Sequence, residues 1–221
     1  MRRLLVLRPE PGATATVERA RKLGLDALSV PLFEIEPVAW EAPEPAAFDG
    51  LLLTSANAVR FGGEGLHALR GLPVHAVGEA TAEAARALGF DIASAGESGV
   101  DRLLDSIDPD LRLLHLCGAD RHEAASPRQA ITATVVYRSK PVESPDLSAA
   151  GGSVALLHSP RAAERFAQLV QQRASIAVAA ISPSAAQAAG DGWEAVESAN
   201  APTDDALLAL AARLCNKPAP Q

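Results

Sequence analysis

Ser55, Thr81, Ser159 and Ser184 each follow a short apolar run and precede a helical pattern. Serine and threonine in such places satisfy the unpaired N–H groups of a helix start. Ser159-Pro160 and Ser182-Pro183 strengthen that reading, with proline at the first helical turn. Taken singly, each is a cap. Together, at strand carboxyl ends where open α/β sheets bind ligands, they read as caps that also serve as ligand donors. The chemistry this suits is capture of an anionic ligand by helix N-termini and hydroxyls. Tyr137 is the only tyrosine and lies in a β-branched, alternating run. It is either a packed strand residue or a phenol available for proton donation. Arg8 follows the first apolar run, where it can pair with a carboxylate or cap the sheet end. Asp204-Asp205, after Thr203, suits a helix start.

Other chemistries find little support. No Gly-x-Gly-x-x-Gly follows a strand and no Gly-Lys-Ser/Thr phosphate loop occurs, which argues against a dinucleotide cofactor. His67, His75, His115, His122 and His158 show no metal-ligand spacing and read as structural. His158 adjoins Ser159, but adjacency alone builds no triad and no Gly-x-Ser-x-Gly elbow surrounds it. Cys117 and Cys215 form no disulfide framework, and Cys117 reads as a buried thiol in a reducing compartment. The net charge of −7 argues against nucleic acid, which calls for a basic face. The opening apolar run is too short for a secretory core and no segment suits a membrane span, so the expectation is a soluble, cytoplasmic protein.

These residues sit on an internal repeat. Leu51-Leu-Leu-Thr-Ser-Ala-Asn-Ala-Val-Arg-Phe recurs as Ala155-Leu-Leu-His-Ser-Pro-Arg-Ala-Ala-Glu-Arg-Phe, with Ser159 lying 104 residues beyond Ser55. Ala76-Val-Gly-Glu-Ala-Thr-Ala recurs as Ala180-Ile-Ser-Pro-Ser-Ala-Ala, with Ser184 lying 103 beyond Thr81. That period is far above those of solenoids, so the repeat marks two domains of one plan. Apolar runs alternating with helical patterns predict parallel α/β layers. Strands are expected at Leu4–Leu7, Leu28–Phe33, Gly50–Thr54, Val74–Val77, Ile92–Ala95 and Leu111–Leu116. Helices are expected at Ala13–Leu23 (closed by Gly24), Ala56–Leu69 and Thr81–Leu88, with a capping box at Ser98–Asp101 opening one to Ile107. Residues 119–132 read as a short helix or loop, and the tail from Asn216 as disordered. Two alternating ribbons flanked by proline-rich linkers imply that the chain leaves one domain, builds the second and returns. The first domain is then 1–33 plus 146–221 and the second 46–132. Ladder strands at 34–45 and 133–145 join them.

With these pieces in place, the chain resembles the uroporphyrinogen-III synthase family. The resemblance rests on Leu7-Arg-Pro-Glu-Pro-Gly, Pro31-Leu-Phe-Glu-Ile-Glu-Pro, Phe48-Asp-Gly-Leu-Leu-Leu-Thr-Ser-Ala-Asn-Ala-Val, Ala76-Val-Gly-Glu-Ala-Thr-Ala, Val136-Tyr-Arg, Leu157-His-Ser-Pro-Arg-Ala-Ala, Ile181-Ser-Pro-Ser-Ala-Ala and Gly190-Asp-Gly-Trp. Each is weak alone; the ordered set is specific. It implies two α/β domains joined by a two-stranded ladder, with a ligand cleft between them. It also implies a cofactor-free, cyclising hydro-lyase without metal, acting as a monomer in porphyrin and heme biosynthesis. The substrate would be hydroxymethylbilane, a linear tetrapyrrole with eight carboxylates, closed with loss of water and inversion of ring D. Its binding would draw on Arg8, Ser55, Ala56, Asn57, Gly78, Thr81, Gly118, Ser159, Pro160, Ser182 and Ser184, with Tyr137 as proton donor. Many relatives carry a longer Arg-Gly-x-x-Gly-Arg segment where this chain has Cys117-Gly-Ala-Asp-Arg; Arg121 is the candidate to keep the second arginine's role. The alternative reading is a non-catalytic two-domain module that binds a polyanionic small molecule.

Overall fold

The structure, a computed structural model, describes residues 1–96, 99–120 and 124–216. The chain divides into two compact units, Met1–Glu34 with Pro141–Gln221, and Ile35–Lys140. It opens with β1 (Leu4–Val6), α1 (Gly12–Lys22) and β2 (Ala27–Ser29). β3 (Phe33–Pro37) leads to β4 (Gly50–Leu53), α2 (Ala56–Phe61), β5 (Val74–Val77), α3 (Glu79–Ala87) and β6 (Ile92–Gly96). α4 (Val100–Ser106), β7 (Arg112–Gly118) and β8 (Ala130–Pro141) follow. The chain then adds β9 (Val154–Leu157), α5 (Pro160–Leu169), β10 (Ala177–Ala180), α6 (Pro183–Ala189), β11 (Ala195–Ser198) and α7 (Asp204–Cys215).

The first unit is a five-stranded sheet in the order β11-β10-β9-β1-β2, with every pairing parallel. Its central strands are apolar on both faces, as a covered parallel sheet requires. Leu4 and Val6 belong to one layer, with Val17 of α1 and Leu207, Ala211 and Leu214 of α7. Leu5 and Leu7 belong to the opposite layer with Phe166 of α5, whose ring stacks on Trp193 at 5.2 Å.

The second unit has the sheet order β3-β8-β7-β4-β5-β6. Pairings from β8 through β6 are parallel. β3 runs back against β8: the Val38 N–H donates to Val136 O, and Arg138 pairs with Glu36. The sequence repeat appears as matched topology. β6-β5-β4-β7-β8 corresponds to β11-β10-β9-β1-β2, so the first unit is the second with its last two strands moved to the front.

β3 lies outside the matched order, and among the described residues α1 has no helical counterpart. α1 joins β1 to β2, but among the described residues the β7–β8 connection holds turns and bends without a helix. Buried Gln129 fills part of that gap, its Nε2 donating to Leu104 O (2.8 Å) and Asp108 O (3.1 Å) beyond α4. Among the described residues, the layer on this side is built around Leu52, Leu103, Leu104 and Leu113.

Several sequence expectations are corrected. The helix expected over Ala56–Leu69 is two pieces, α2 and a 3-10 helix at Gly63–Leu69. Gly63 breaks it with φ +65°, a conformation costly for other residues. The Trp40 ring fills the space beside Gly65, and its Nε1 donates to Gly62 O at 2.8 Å. The strand expected over Leu28–Phe33 is interrupted at Val30–Leu32, between β2 and β3. α4 starts after Gly99 with no side-chain cap. Ser98 of the expected capping box, Arg121 and the tail beyond Asn216 lie outside the described residues.

Candidate functional site

Each unit presents the carboxyl ends of its parallel strands, and the expected residues fall there in two groups. In the second unit, Thr54 follows β4, and its Oγ1 lies 3.0 Å from His115 Nε2. Ser55 follows as the cap of α2, its Oγ accepting from the Asn57 N–H at 3.2 Å. Ala56 is the first residue of that helix. β7 and β8 pair in step from Arg112↔Ala130 to Cys117↔Val135, then slip so that Gly118 faces Tyr137. This bulge re-aims the strand end. The Tyr137 ring lies over Gly118, where an added Cβ would come within 2.6 Å of it, and the phenol hydrogen-bonds Ser55. Burial pushes the Tyr137 pKa up; the Ser55 hydrogen bond opposes this, and nearby Cys117 and Asp120 reinforce it. The phenol is therefore fully protonated at neutral pH.

One strand over, Gly78 caps α3 with φ +86° and no side-chain bond. The expectation for Thr81 is corrected here. It is the third residue of α3, and it is buried within the helix layer instead of capping it. The open backbone at Gly78, not the threonine hydroxyl, occupies the strand-end position.

In the first unit, Ser159 caps α5 by accepting from the Ala162 N–H at 3.2 Å, with Pro160 at the first helical position. Ser182 caps α6 through the Ala185 N–H, also at 3.2 Å. Ser184 is therefore not the cap: it is an exposed second helical residue whose Oγ lies 2.9 Å from Ser182 Oγ. Arg8 stands beyond β1 with Nη1 3.3 Å from Asp204 Oδ1 and 3.4 Å from Thr16 Oγ1.

Sequence reasoning missed the rest of this group. Asp204 does sit in the first turn of α7, behind the Thr203 cap, as its acidic pair implies. It also accepts from His158 Nε2 (2.9 Å), Thr16 Oγ1 (3.0 Å) and Arg19 Nη1 (2.9 Å). Arg19 reaches Asp205 as well. Burial pushes the His158 pKa down, the Asp204 hydrogen bond opposes this, and the Arg8 charge adds to the lowering. His158 is thus neutral at pH 7 and donates through Nε2, while its buried Nδ1 has no hydrogen-bond partner among the described residues. Burial would raise Asp204, but His158, Thr16 and Arg8 hold it at about 2. His75 and His115 are structural, hydrogen-bonded to Ser94 Oγ (2.8 Å) and Thr54. Cys117 and Cys215 are buried thiols outside any disulfide, and Cys117 Sγ donates to Thr134 O at 3.5 Å. Among the described residues, no three or more His, Cys, Asp or Glu side chains converge as metal ligands would, and no helix is long and apolar enough to cross a membrane.

The chain matches the family described as uroporphyrinogen-III synthase HemD over residues 14–209. It belongs to the uroporphyrinogen-III synthase family. A curated relative, the uroporphyrinogen-III synthase of Chlorobaculum parvum, is 39% identical over 62 residues. That stretch covers 28% of this chain and only about a quarter of the relative's length, 25%. The crystal structure of uroporphyrinogen-III synthetase from Helicobacter pylori 26695 is similar at 21% identity with a TM-score of 0.68, covering 97% of this chain and 100% of that one. A mutant uroporphyrinogen III synthase from the extremely thermophilic bacterium Thermus thermophilus is similar at 17% identity and a TM-score of 0.54, covering 98% and 100%. At those identities the structures bear on the fold, which this synthase-family chain shares: two α/β units with parallel sheets.

Proposed function

We propose that the protein is itself a uroporphyrinogen-III synthase, a lyase that closes hydroxymethylbilane to uroporphyrinogen III with loss of water and inversion of ring D. The family match over residues 14–209 carries this reading. The geometry supports it. A substrate with eight carboxylates suits strand-end faces that offer helix N-termini and hydroxyls, here Ser55 with Ala56 and Asn57, Gly78, Ser159 with Pro160, and Ser182. Arg8 adds a cation in a chain of net charge −7.

The reaction needs one proton for the departing hydroxyl and releases one when the closing ring regains its aromaticity. Tyr137 is the proposed donor. Its raised pKa keeps the proton in place, and the Ser55 hydrogen bond directs the phenol. The hydroxyl takes that proton and leaves as water, driven by the electron-rich pyrrole, and the proton shed from the ring carbon at closure restores the phenol. No oxidation state changes, so this chemistry gives a nicotinamide or flavin nothing to do. Most of the acceleration then comes from holding a flexible chain in the geometry for inversion. The same reading takes the protein as a cytoplasmic monomer without a metal.

Supplying hydroxymethylbilane to the purified protein tests this. The type III isomer is expected at a rate untouched by chelator. Formation of the type I isomer alone would refute the synthase reading, and activity lost to chelator and restored by a divalent ion would refute the metal-free one.

A further inference from the structure

Among the described residues at the first unit's strand ends, Asp204 gathers the most polar partners, and the mechanism above leaves it unused. Its Oδ1 accepts from His158 Nε2 at 2.9 Å and Arg8 Nη1 at 3.3 Å; its Oδ2 accepts from Thr16 Oγ1 at 3.0 Å and Arg19 Nη1 at 2.9 Å. Two oxygens offer about four lone-pair sites, so these four donors fill the carboxylate. They come from separate places: beyond β1, beyond β9, and along α1. The network therefore ties together the two strands flanking the point where the sheet order reverses, the position at which open α/β sheets place ligands.

Stability accounts for the largely buried His158–Asp204 pair but poorly for the two arginines. Arg8 and Arg19 side chains are 36% and 40% exposed, and ion pairs that wet contribute little to folding. Orientation is what the network controls. Arg8 Nη1 is held by Asp204 and Thr16, while the guanidinium rests on Gly12, where an added Cβ would lie 2.6 Å from Nε. Held from two sides, an otherwise flexible side chain keeps one direction at the end of β1.

We propose that Asp204 is a positioning residue for the cyclisation: it fixes the Arg8 guanidinium to receive one carboxylate of the tetrapyrrole and does not itself touch substrate. The proposal rests on the synthase reading given above. A charged hydrogen bond to a carboxylate is strong only when its donor is held in line. Asp204 supplies that constraint, and Asp204 is itself held by His158 Nε2 and Arg19 Nη1, both at 2.9 Å.

The test compares Asp204→Asn, Arg8→Ala and the double variant in the full-length protein. Three quantities are read: KM and kcat with hydroxymethylbilane, fluorescence-detected binding of uroporphyrin as an octacarboxylate probe, and thermal unfolding. Arg8→Ala and Asp204→Asn should each raise KM and weaken probe binding about tenfold, with kcat within about threefold of wild type. The double variant should be no worse than Arg8→Ala, because both changes remove one contact. Effects that multiply in the double variant, or a KM in Asp204→Asn equal to or below wild type, overturn the proposal. Should Asp204→Asn fail to fold, Thr16→Val loosens the same guanidinium, and a KM raised about threefold is expected; unchanged KM there overturns it equally. A wild-type protein that makes no type III isomer sinks the synthase reading, and the probe-binding cycle still decides whether Asp204 acts through Arg8.

Discussion

Tyr137 and Gly118 form a unit of two residues, because the ring occupies the space a side chain at 118 would need. If the phenol assists hydroxyl departure, Tyr137→Phe keeps the ring's packing and removes only the donor. Turnover should fall by a factor within the roughly 10²–10⁴ typical of a positioned proton donor, while the unfolding midpoint stays near wild type. A fully active Tyr137→Phe would make the tyrosine a packing residue of β8. Gly118→Ala should reproduce much of that loss with the phenol still present, since the new Cβ displaces the ring from Ser55. As a buried residue beneath the ring, Gly118 acts on Tyr137 first, whatever backbone contact it makes with substrate.

At the scale of elements, caps and strand ends decide what each serine does. Ser159→Ala and Ser182→Ala each remove a side-chain bond to a helix N–H and should cost about 0.5–2 kcal/mol in chemical denaturation. Ser184→Ala removes no cap and should leave stability within about 0.5 kcal/mol of wild type. Equal losses at 182 and 184 would contradict the cap placement. That contrast also marks how far the sequence can be read. The apolar runs Leu4–Leu7, Leu51–Leu53 and Ala155–Leu157 are buried on both faces, and their pattern alone points to parallel sheets. The repeat locates matching strands and helices. It does not place Thr81 and Ser184, because aligning two copies fixes a residue only to within a few positions, and a glycine cap at Gly78 leaves no hydroxyl signal. The two-piece helix after Ser55 escapes a local reading because Trp40, distant in sequence, stabilises the break at Gly62–Gly65. The Asp204 cluster is illegible for a simpler reason: its partners lie 46 to 196 positions away. Only the folded sheet brings Arg8, Thr16, Arg19 and His158 to one carboxylate.

For the whole molecule, pH dependence follows from its buried histidines. His158 and His75 both have pKa values pushed down by burial, so the unfolded chain binds more protons than the folded one just below pH 6.5. Stability should hold above that pH and fall as pH drops through the window between the unfolded value and the lower folded ones. Denaturant titrations from pH about 7.5 to about 5 check this: His75→Gln should flatten the slope, and an unchanged slope would show that other groups set it. Asp204 and Asp49, both held at about 2, keep their contributions until far more acidic conditions. The order of the strands has a consequence of another kind, for synthesis. The second unit is a single uninterrupted segment, Ile35–Lys140, and its sheet can close as soon as β8 has left the ribosome. The first unit cannot do the same. β1 is translated before the whole of the second unit, yet its neighbour β9 begins only at Val154, so one edge of β1 waits without its partner until the second unit is finished. The fold is thus assembled from the inside of the sequence outward, and a strand made early is among the last to be enclosed.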